Sequence, residues 1–323
     1  MDNNKKQKIV ILGGPTCSGK TGSSLRLAQI YPLEVVNYDS LCFYKYFDIG
    51  SAKPEKSNTL TVKHHLIDIK FPDESYNAFD FSNYASSAIL NIINNGNLPL
   101  FAGGTGLYTR ALIYGLSPIP AISGDEIRKK LSESIKEEGV KKFYEKLREV
   151  DPEYAIKISS NDKSRIIRAM EVFYHTGKPL SYFINLNPFK EPAYDFINII
   201  FIPNREILRK RIEERTKNII YHGLIEETEK ILNMGYSSDL KPFNSIGYKE
   251  TLMYLNGAIP SKNELYSEIV KATMQYAKRQ TTWFRKSVNA IFIETINEDE
   301  RLSIIKKNID IFLDDETRRL SIY

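Results

Sequence analysis

The segment Lys8 to Leu12 is a short β-branched, apolar run, and it opens directly onto Gly13-Gly14-Pro15-Thr16-Cys17-Ser18-Gly19-Lys20-Thr21, after which a helical pattern continues from Leu25 to Ile30. A strand that ends in glycines and restarts as a helix can curl its backbone so that successive N–H groups point inward. The positive end of the helix and the Lys20 charge then add to those donors. This is an anion cradle, and the strand before it and the helix after it are the context that gives the motif its meaning. Thr21 could hold Mg2+. The loop does not say which phosphates it takes, because a diphosphate satisfies the same donors as the end of ATP. A glycine-rich turn with no ligand is the other reading.

The pattern recurs along the chain. Glu34 to Asn37 reads as a second strand, Asn97 to Ala102 as a third ending in Gly103-Gly104-Thr105, and Phe196 to Ile202 and Ala290 to Glu294 as two more. Strands separated by helical segments predict an α/β fold of the P-loop NTPase-like type, a mostly parallel sheet flanked by helices on both faces. Between Ser123 and Leu186 only helical patterns occur, punctuated by Gly139, Asp151-Pro152 and Gly177-Lys178-Pro179. The expected organisation is a catalytic core at 1–122 and 187–323 with a helical insertion domain at 123–186. Two further helical segments run from Ile207 to Met234 and from Ser261 to Arg285, the second opening on a capping-box pattern, Ser261 to Glu264.

With 323 residues, 42% hydrophobic and 26% charged, the chain can bury a sizeable core. Its two cysteines, Cys17 and Cys42, have no CxxC spacing and build neither a disulfide framework nor a thiolate metal site. No apolar run approaches the roughly 20 residues of a membrane helix, so a cytoplasmic protein is expected. The net charge of +5, from 45 basic and 40 acidic side chains, does not by itself announce a polyanionic partner. The distribution of charge has to decide.

Several residues stand out for chemistry. Asp39 falls just past the second strand, at the carboxyl edge where open α/β sheets place ligands, although Asp-Ser after a strand also caps helices. Gly103-Gly104-Thr105 could bring backbone donors and a hydroxyl to the same crevice, or simply turn the chain. Arg211 and Arg215 are one helical turn apart and could reach a phosphate or form a solvated face. Lys278, Arg279, Arg285 and Lys286 fall on one side of a helix around Trp283, a basic and aromatic strip that suits nucleic acid; an ordinary helix with a buried tryptophan is the alternative. His64-His65 invites a metal reading, but adjacent side chains diverge and no further ligand is suitably spaced, which favours a structural role.

Taken together, GPTCSGKT, NYDSLCFYKYFDIGSAKP from Asn37, HHLIDI from His64, AGGTGLYTRAL from Ala102, GLSPIP from Gly115, NDKSRIIRAMEVFYHTGKPLS from Asn161, SIGYKE from Ser245 and AKRQTTWFRK from Ala277 resemble the tRNA dimethylallyltransferases, or isopentenyltransferases, of bacterial type. The resemblance implies that the loop grips the diphosphate of dimethylallyl diphosphate rather than ATP. It further implies an acceptor at N6 of the adenosine beside the anticodon, in tRNAs reading codons that begin with U. On it, Asp39, Thr105 and Arg215 are the expected catalytic residues, Asp39 as general base and Arg215 on the diphosphate. Gly14, Pro15, Thr16, Cys17, Ser18, Gly19, Lys20 and Thr21 are expected to bind the donor, with Mg2+ on Thr21. The expected tRNA contacts are Asp39, Ser40, Leu41, Cys42, Thr105 and Arg128, then Ser164, Arg165, Ile166, Ile167 and Arg168. They continue with Asn244, Ser245, Ile246, Gly247, Tyr248 and Lys249, and end with Lys278, Arg279, Gln280, Thr281, Thr282, Trp283, Phe284 and Arg285. Ser51 replaces a more usual threonine, and Met274 stands where an arginine is common. A monomer binding the tRNA anticodon stem-loop is expected. A small-molecule P-loop kinase is the alternative function, and an RNA-binding protein without chemistry is a third.

Overall fold

The computed structural model describes residues 6–54, 61–120, 126–186 and 191–314. The chain divides into two compact units, Met1–Ile113 with Pro192–Tyr323, and Tyr114–Glu191. In the first unit, β1 (Lys8–Gly13), β2 (Leu33–Asn37), β3 (His64–His65), β4 (Leu98–Ala102), β5 (Asp195–Phe201) and β6 (Ala290–Ile293) form one six-stranded sheet. Its order is β3-β2-β4-β1-β5-β6, and every neighbouring pair is parallel.

Parallel strands need both faces covered, which is why these segments read as near-continuous apolar runs rather than as alternating ones. One face presents Val10, Leu12, Val35, Leu100, Ile199 and Phe201 to Leu27 of the helix Lys20–Leu27 and to Ile305, Ile309 and Phe312 of the helix Glu298–Leu313. The opposite face packs Ile200 against Phe284, near the end of the helix Lys262–Phe284.

Register then fixes where the chemistry can be. Leu12 pairs with Ala102, and Ala102 pairs with Asn37, so β1, β4 and β2 end side by side. Tyr38 locks that edge, its amide donating to Ala102 O and its hydroxyl donating to Leu12 O at 2.9 Å. Gly13, Gly103 and Asp39 therefore emerge along one line, at the carboxyl end of the strands where doubly wound sheets bind ligands.

Details of the sequence reading shift in the structure. The stretch from Ile207 to Met234 is two helices, Arg205–Tyr221 and Leu224–Asn233, parted at Gly223. At Ser261 the hydroxyl accepts from the Glu264 amide at 3.2 Å, but the Glu264 carboxylate meets that hydroxyl instead of the backbone, so only half of the predicted box forms. A complete box occurs at Asn77 and Asp80, opening the helix Ala78–Asn94.

The second unit is helical: Glu126–Glu138, Val140–Val150, Pro152–Ala155, Lys163–Thr176 and Leu180–Asn185. They surround their own core, which includes Leu131, Phe143, Leu147, Ile166 and Met170. Buried Asp151 serves two of them, accepting from the amides of Tyr154 at 3.1 Å and Ser181 at 2.9 Å. No helix among the described residues is long and apolar enough to cross a membrane.

The two histidines form the edge strand β3, and His65 Nε2 meets the buried Glu34 carboxylate at 2.5 Å. Asn95, Asn97 and Lys63 also bond to Glu34, at 3.0, 2.9 and 3.2 Å. Burial alone would push this carboxyl up, but the hydrogen bonds from Asn97, His65, Asn95 and Lys63 outweigh it and hold it down at about 2. Because the unfolded chain binds the proton more readily, this contribution is complete above about 4.5 and is lost as pH falls towards 2. Glu34→Gln is expected to lower stability at neutral pH by on the order of 3 kcal/mol. Urea melts between pH 2 and pH 7 should show a weaker acid dependence than wild type; parallel curves would assign acid lability to other groups.

Candidate active site

The loop after β1 is shaped by two positions that side chains rarely tolerate, Gly14 at φ 143° and Gly19 at φ 98°, the latter being the residue that starts the helix Lys20–Leu27. Ser18 is buried beneath it. Lys20 curls back over the loop, donating to Gly14 O at 2.9 Å, Pro15 O at 2.7 Å and Ser18 Oγ at 3.4 Å. Burial pushes this ammonium down to about 8, with the Asp39 charge opposing the shift. Such a lysine gains from any anion that replaces the lost water.

Elements distant in sequence hold the loop. Gln280, buried on the helix Lys262–Phe284, accepts from the Thr16 amide at 2.9 Å and donates to Gly104 O at 2.9 Å, tying the loop after β1 to the loop after β4. Arg215 donates to Thr16 Oγ1 at 3.0 Å and to Ser51 O at 3.3 Å, and Arg211, one turn earlier, donates to Cys17 O at 3.4 Å. Both arginines therefore face the loop and are half-buried. Ser51 closes its own turn by donating to Phe47 O at 2.6 Å, a bond that a threonine hydroxyl could also make.

Asp39 is half-buried just past β2, and Asn37 fixes its backbone by accepting from the Asp39 amide at 3.2 Å. Asp39 Oδ1 accepts from the Leu41 amide at 3.1 Å, so it caps a turn rather than a helix. Thr105 Oγ1 is buried and makes no hydrogen bond of ordinary geometry among the described residues. Its neighbour Tyr276 has its hydroxyl pushed up, by burial first and then by the Asp39 charge.

Two cavities meet at these residues. One, of about 470 Å³, is lined by the loop from Thr16 to Thr21 together with Asn37, Arg211 and Gln280. The other, of about 300 Å³, has aliphatic walls from Leu41, Ile212, Ile219, Ile246 and Ile269, with Ser40, Asn244, Ser245, Tyr276 and Arg279 adding polar groups. Thr16, Asp39, Ser51 and Arg215 line both. A larger cavity of about 680 Å³ opens near Lys6, Tyr194 and Asp195, at the other end of the strands, and gathers no comparable set of groups.

The expected tRNA residues separate by exposure. Lys278, Arg279, Thr282, Trp283 and Arg285 are exposed, whereas Gln280 and Phe284 are buried and Thr281 lies between. The helix ends at Phe284, which leaves Lys286 beyond the helical strip. In the stretch from Asn244 to Lys249, Asn244 and Lys249 are exposed, Ser245 and Ile246 half-buried, and Gly247 and Tyr248 buried. The Tyr248 hydroxyl donates to Glu227 at 2.5 Å and accepts from the Gly50 amide at 3.1 Å. Ser40 is exposed, while Leu41 and Cys42 are buried. In the second unit Ser164 and Arg165 are exposed and Ile166 and Ile167 belong to the core. Arg128 and Arg168 both bond the buried Glu171, at 3.4 and 2.7 Å. Met274, standing where an arginine is common, packs with Leu208, Ile212 and Ala277.

Glu171, Glu227 and Tyr276 carry no spacing signal that the sequence could reveal. Thr21 is exposed at the mouth of the first cavity. Mg2+ takes few protein oxygens and completes its shell with phosphate and water, so a hydroxyl there suits it. No group of three or more His, Cys, Asp or Glu among the described residues is placed to hold a metal ion.

A family model described as IPP transferase matches residues 42–287. The chain belongs to the IPP transferase family. A tRNA dimethylallyltransferase of Geobacter sulfurreducens is 42% identical over 289 residues, covering 90% of this chain and 92% of its own. Among solved structures, the full-length tRNA isopentenylpyrophosphate transferase of Bacillus halodurans superposes with a TM-score of 0.72 at 33% identity, covering 98% of this chain and 100% of that one. A eukaryotic dimethylallyltransferase acting on tRNA shares the fold, with a TM-score of 0.77 at 23% identity over 94% of this chain and 80% of that one. The α/β fold is thus that of IPP transferase structures. The IPP transferase match begins after the phosphate loop and ends before the helix Glu298–Leu313.

Gln280→Ala removes one buried and one half-buried bond at once and leaves the Thr16 amide and Gly104 carbonyl without their partner. A loss of about 2 kcal/mol in chemical denaturation is expected. Wild-type stability would mean that solvent substitutes for both bonds.

Proposed function

We propose that this enzyme transfers a dimethylallyl group from dimethylallyl diphosphate to N6 of adenosine 37 in tRNAs reading codons that begin with U, releasing diphosphate. The observation that carries the reading is the meeting of two cavities at Asp39. Thr16 to Thr21, expected to hold the donor, line one cavity, and Ser40, Leu41, Asn244, Ser245, Ile246 and Arg279, expected to meet tRNA, line the other.

An adenine amine is a weak nucleophile because its lone pair is delocalised into the ring. Attack on the allylic carbon forms the N6–C bond while the C–O bond to diphosphate breaks, and the N6 proton passes to the Asp39 carboxylate. A base so placed is worth about 10² to 10⁴ in rate. The electron pair leaves with the diphosphate, whose charge is met by the loop amides, Lys20 and Arg215. Thr21 would hold Mg2+ against the diphosphate, where the ion would neutralise charge on the leaving group. Thr105, whose Oγ1 is buried without an ordinary hydrogen bond among the described residues, is the residue assigned to bond the incoming base.

The target base starts inside an anticodon stack, and unstacking it costs a few kcal/mol. The exposed set Lys278, Arg279, Trp283 and Arg285 supplies phosphate contacts and an aromatic surface, and Arg128, Arg165 and Arg168 supply charge from the second unit. Glu171 holds Arg128 and Arg168 in place.

Incubation of unmodified tRNA with labelled dimethylallyl diphosphate or labelled ATP tests the whole reading. Label should pass from the prenyl donor to tRNA, and tRNA-dependent ATP hydrolysis would favour a kinase instead. Asp39→Ala is expected to lower single-turnover rates at least ~100-fold while donor and tRNA still bind. The tRNA affinity should fall steeply with salt, and Lys278→Ala or Arg279→Ala should flatten that slope by about one unit for each phosphate no longer neutralised. Unchanged slopes would move RNA recognition to the arginines of the second unit.

A further inference from the structure

Against the phosphate loop sits a charged side chain that the transfer reaction does not use and that lines neither cavity. Arg301 belongs to the helix Glu298–Leu313, outside the matched segment 42–287, and is only 2% exposed. Its Nη1 donates to Ser18 O at 3.4 Å, its guanidinium lies 5.2 Å from the centre of the Phe201 ring, and Nη2 is 3.6 Å from an exposed Glu298 carboxylate. Arg301 Nε is buried with no partner among the described residues. The packing is close: a Cβ placed on Gly19 would come within 2.7 Å of Nη1.

A guanidinium with so few bonds is a costly way to fill space, and an aliphatic side chain would pack the same helix onto Phe201 without that cost. What the charge does is visible in the peptide it touches. A trans peptide is planar, so its C=O and the following N–H point in opposite directions. Holding Ser18 O on the outer side of the loop turns the Gly19 N–H towards the inner side, where an anion would sit. Arg211, which lines the cavity, donates to the preceding carbonyl, Cys17 O, at 3.4 Å. The helix that carries Arg301 is itself fixed to the helix after the loop through Arg26 to Asp299 at 2.6 Å, and to the segment that follows through Tyr31 to Asp310 at 2.6 Å.

We propose that Arg301 is a positioning residue for the prenyl diphosphate, clamping the Ser18–Gly19 peptide from outside so that its N–H faces the donor. It acts through the loop and touches neither substrate. The proposal rests on the loop being the diphosphate site.

The test compares full-length wild type, Arg301→Met, which keeps the volume without donors, and Arg301→Lys, which keeps the charge. Steady-state rates are measured with dimethylallyl diphosphate and unmodified tRNA, together with inhibition by inorganic pyrophosphate and the melting temperature. Arg301→Met should raise the donor KM about tenfold and weaken pyrophosphate inhibition in parallel. Its tRNA KM should stay near wild type, and Arg301→Lys should recover part of the loss. A lowered melting temperature with unchanged donor KM and unchanged pyrophosphate inhibition would make Arg301 a packing residue and overturn the proposal. If Arg301→Met does not fold, Arg301→Lys alone decides: a raised donor KM supports the clamp and an unchanged one removes it. Failure of pyrophosphate to inhibit wild type would overturn the diphosphate reading of the loop itself, and the clamp with it.

Discussion

A diphosphate can be gripped only where positive charge and inward-facing amides are concentrated, and a protein interior resists both. Lys20 shows the strain: burial brings its ammonium down to about 8, and the Asp39 charge opposes that shift, while the carbonyls of Gly14 and Pro15 accept its hydrogen bonds. The loop satisfies the carbonyls of Gly14 and Pro15 from within, through Lys20 and the Ser18 amide. Distant side chains take the next two, Arg211 at Cys17 and Arg301 at Ser18. Gln280 takes the Thr16 amide and thereby sets where the loop begins to turn. Most of the architecture of the first unit can be understood as the scaffold that brings these groups to one place.

The same economy governs the second cavity. Tyr248 is buried and donates to Glu227, and Glu227 takes the amides of Ile49 at 2.9 Å and Gly50 at 3.3 Å and so fixes the turn whose Ser51 carbonyl receives Arg215. An arginine anchored at both Thr16 and Ser51 has little freedom left, and a charge with little freedom loses little entropy when an anion arrives. In the second unit, Glu171 does for Arg128 and Arg168 what Glu227 does for the turn.

Much of this was legible from residues alone, and the limits have physical causes. β1, β2, β4, β5 and β6 could be read because a parallel strand buried on both faces is an unbroken apolar run. β3 could not, because two histidines at a sheet edge carry neither alternation nor length. The phosphate loop was legible because a tight turn in the left-handed region demands glycine at 14 and 19. Helical periodicity showed Arg211 and Arg215 on one face but not which face, and exposure alone separates Trp283 from Phe284. Gln280 lies 264 residues from Thr16 and Arg301 lies 283 from Ser18. No local pattern encodes a partner at that distance. The helix Glu298–Leu313, with Arg301 on it, was missed altogether.

The position of β1 has a further consequence, for the order in which the molecule can assemble. The strand synthesised first is an inner strand, and its two neighbours, β4 and β5, begin at Leu98 and Asp195. Until they emerge, β1 has no partner on either side, and loop closures of this length are slow steps. The phosphate loop is in a worse position, since its braces arrive with residues 211, 215, 280 and 301. A nascent chain of two hundred residues would carry a complete phosphate-binding sequence and no phosphate-binding site. The braced loop is the last feature the fold acquires, so a truncated product would carry the loop without its braces.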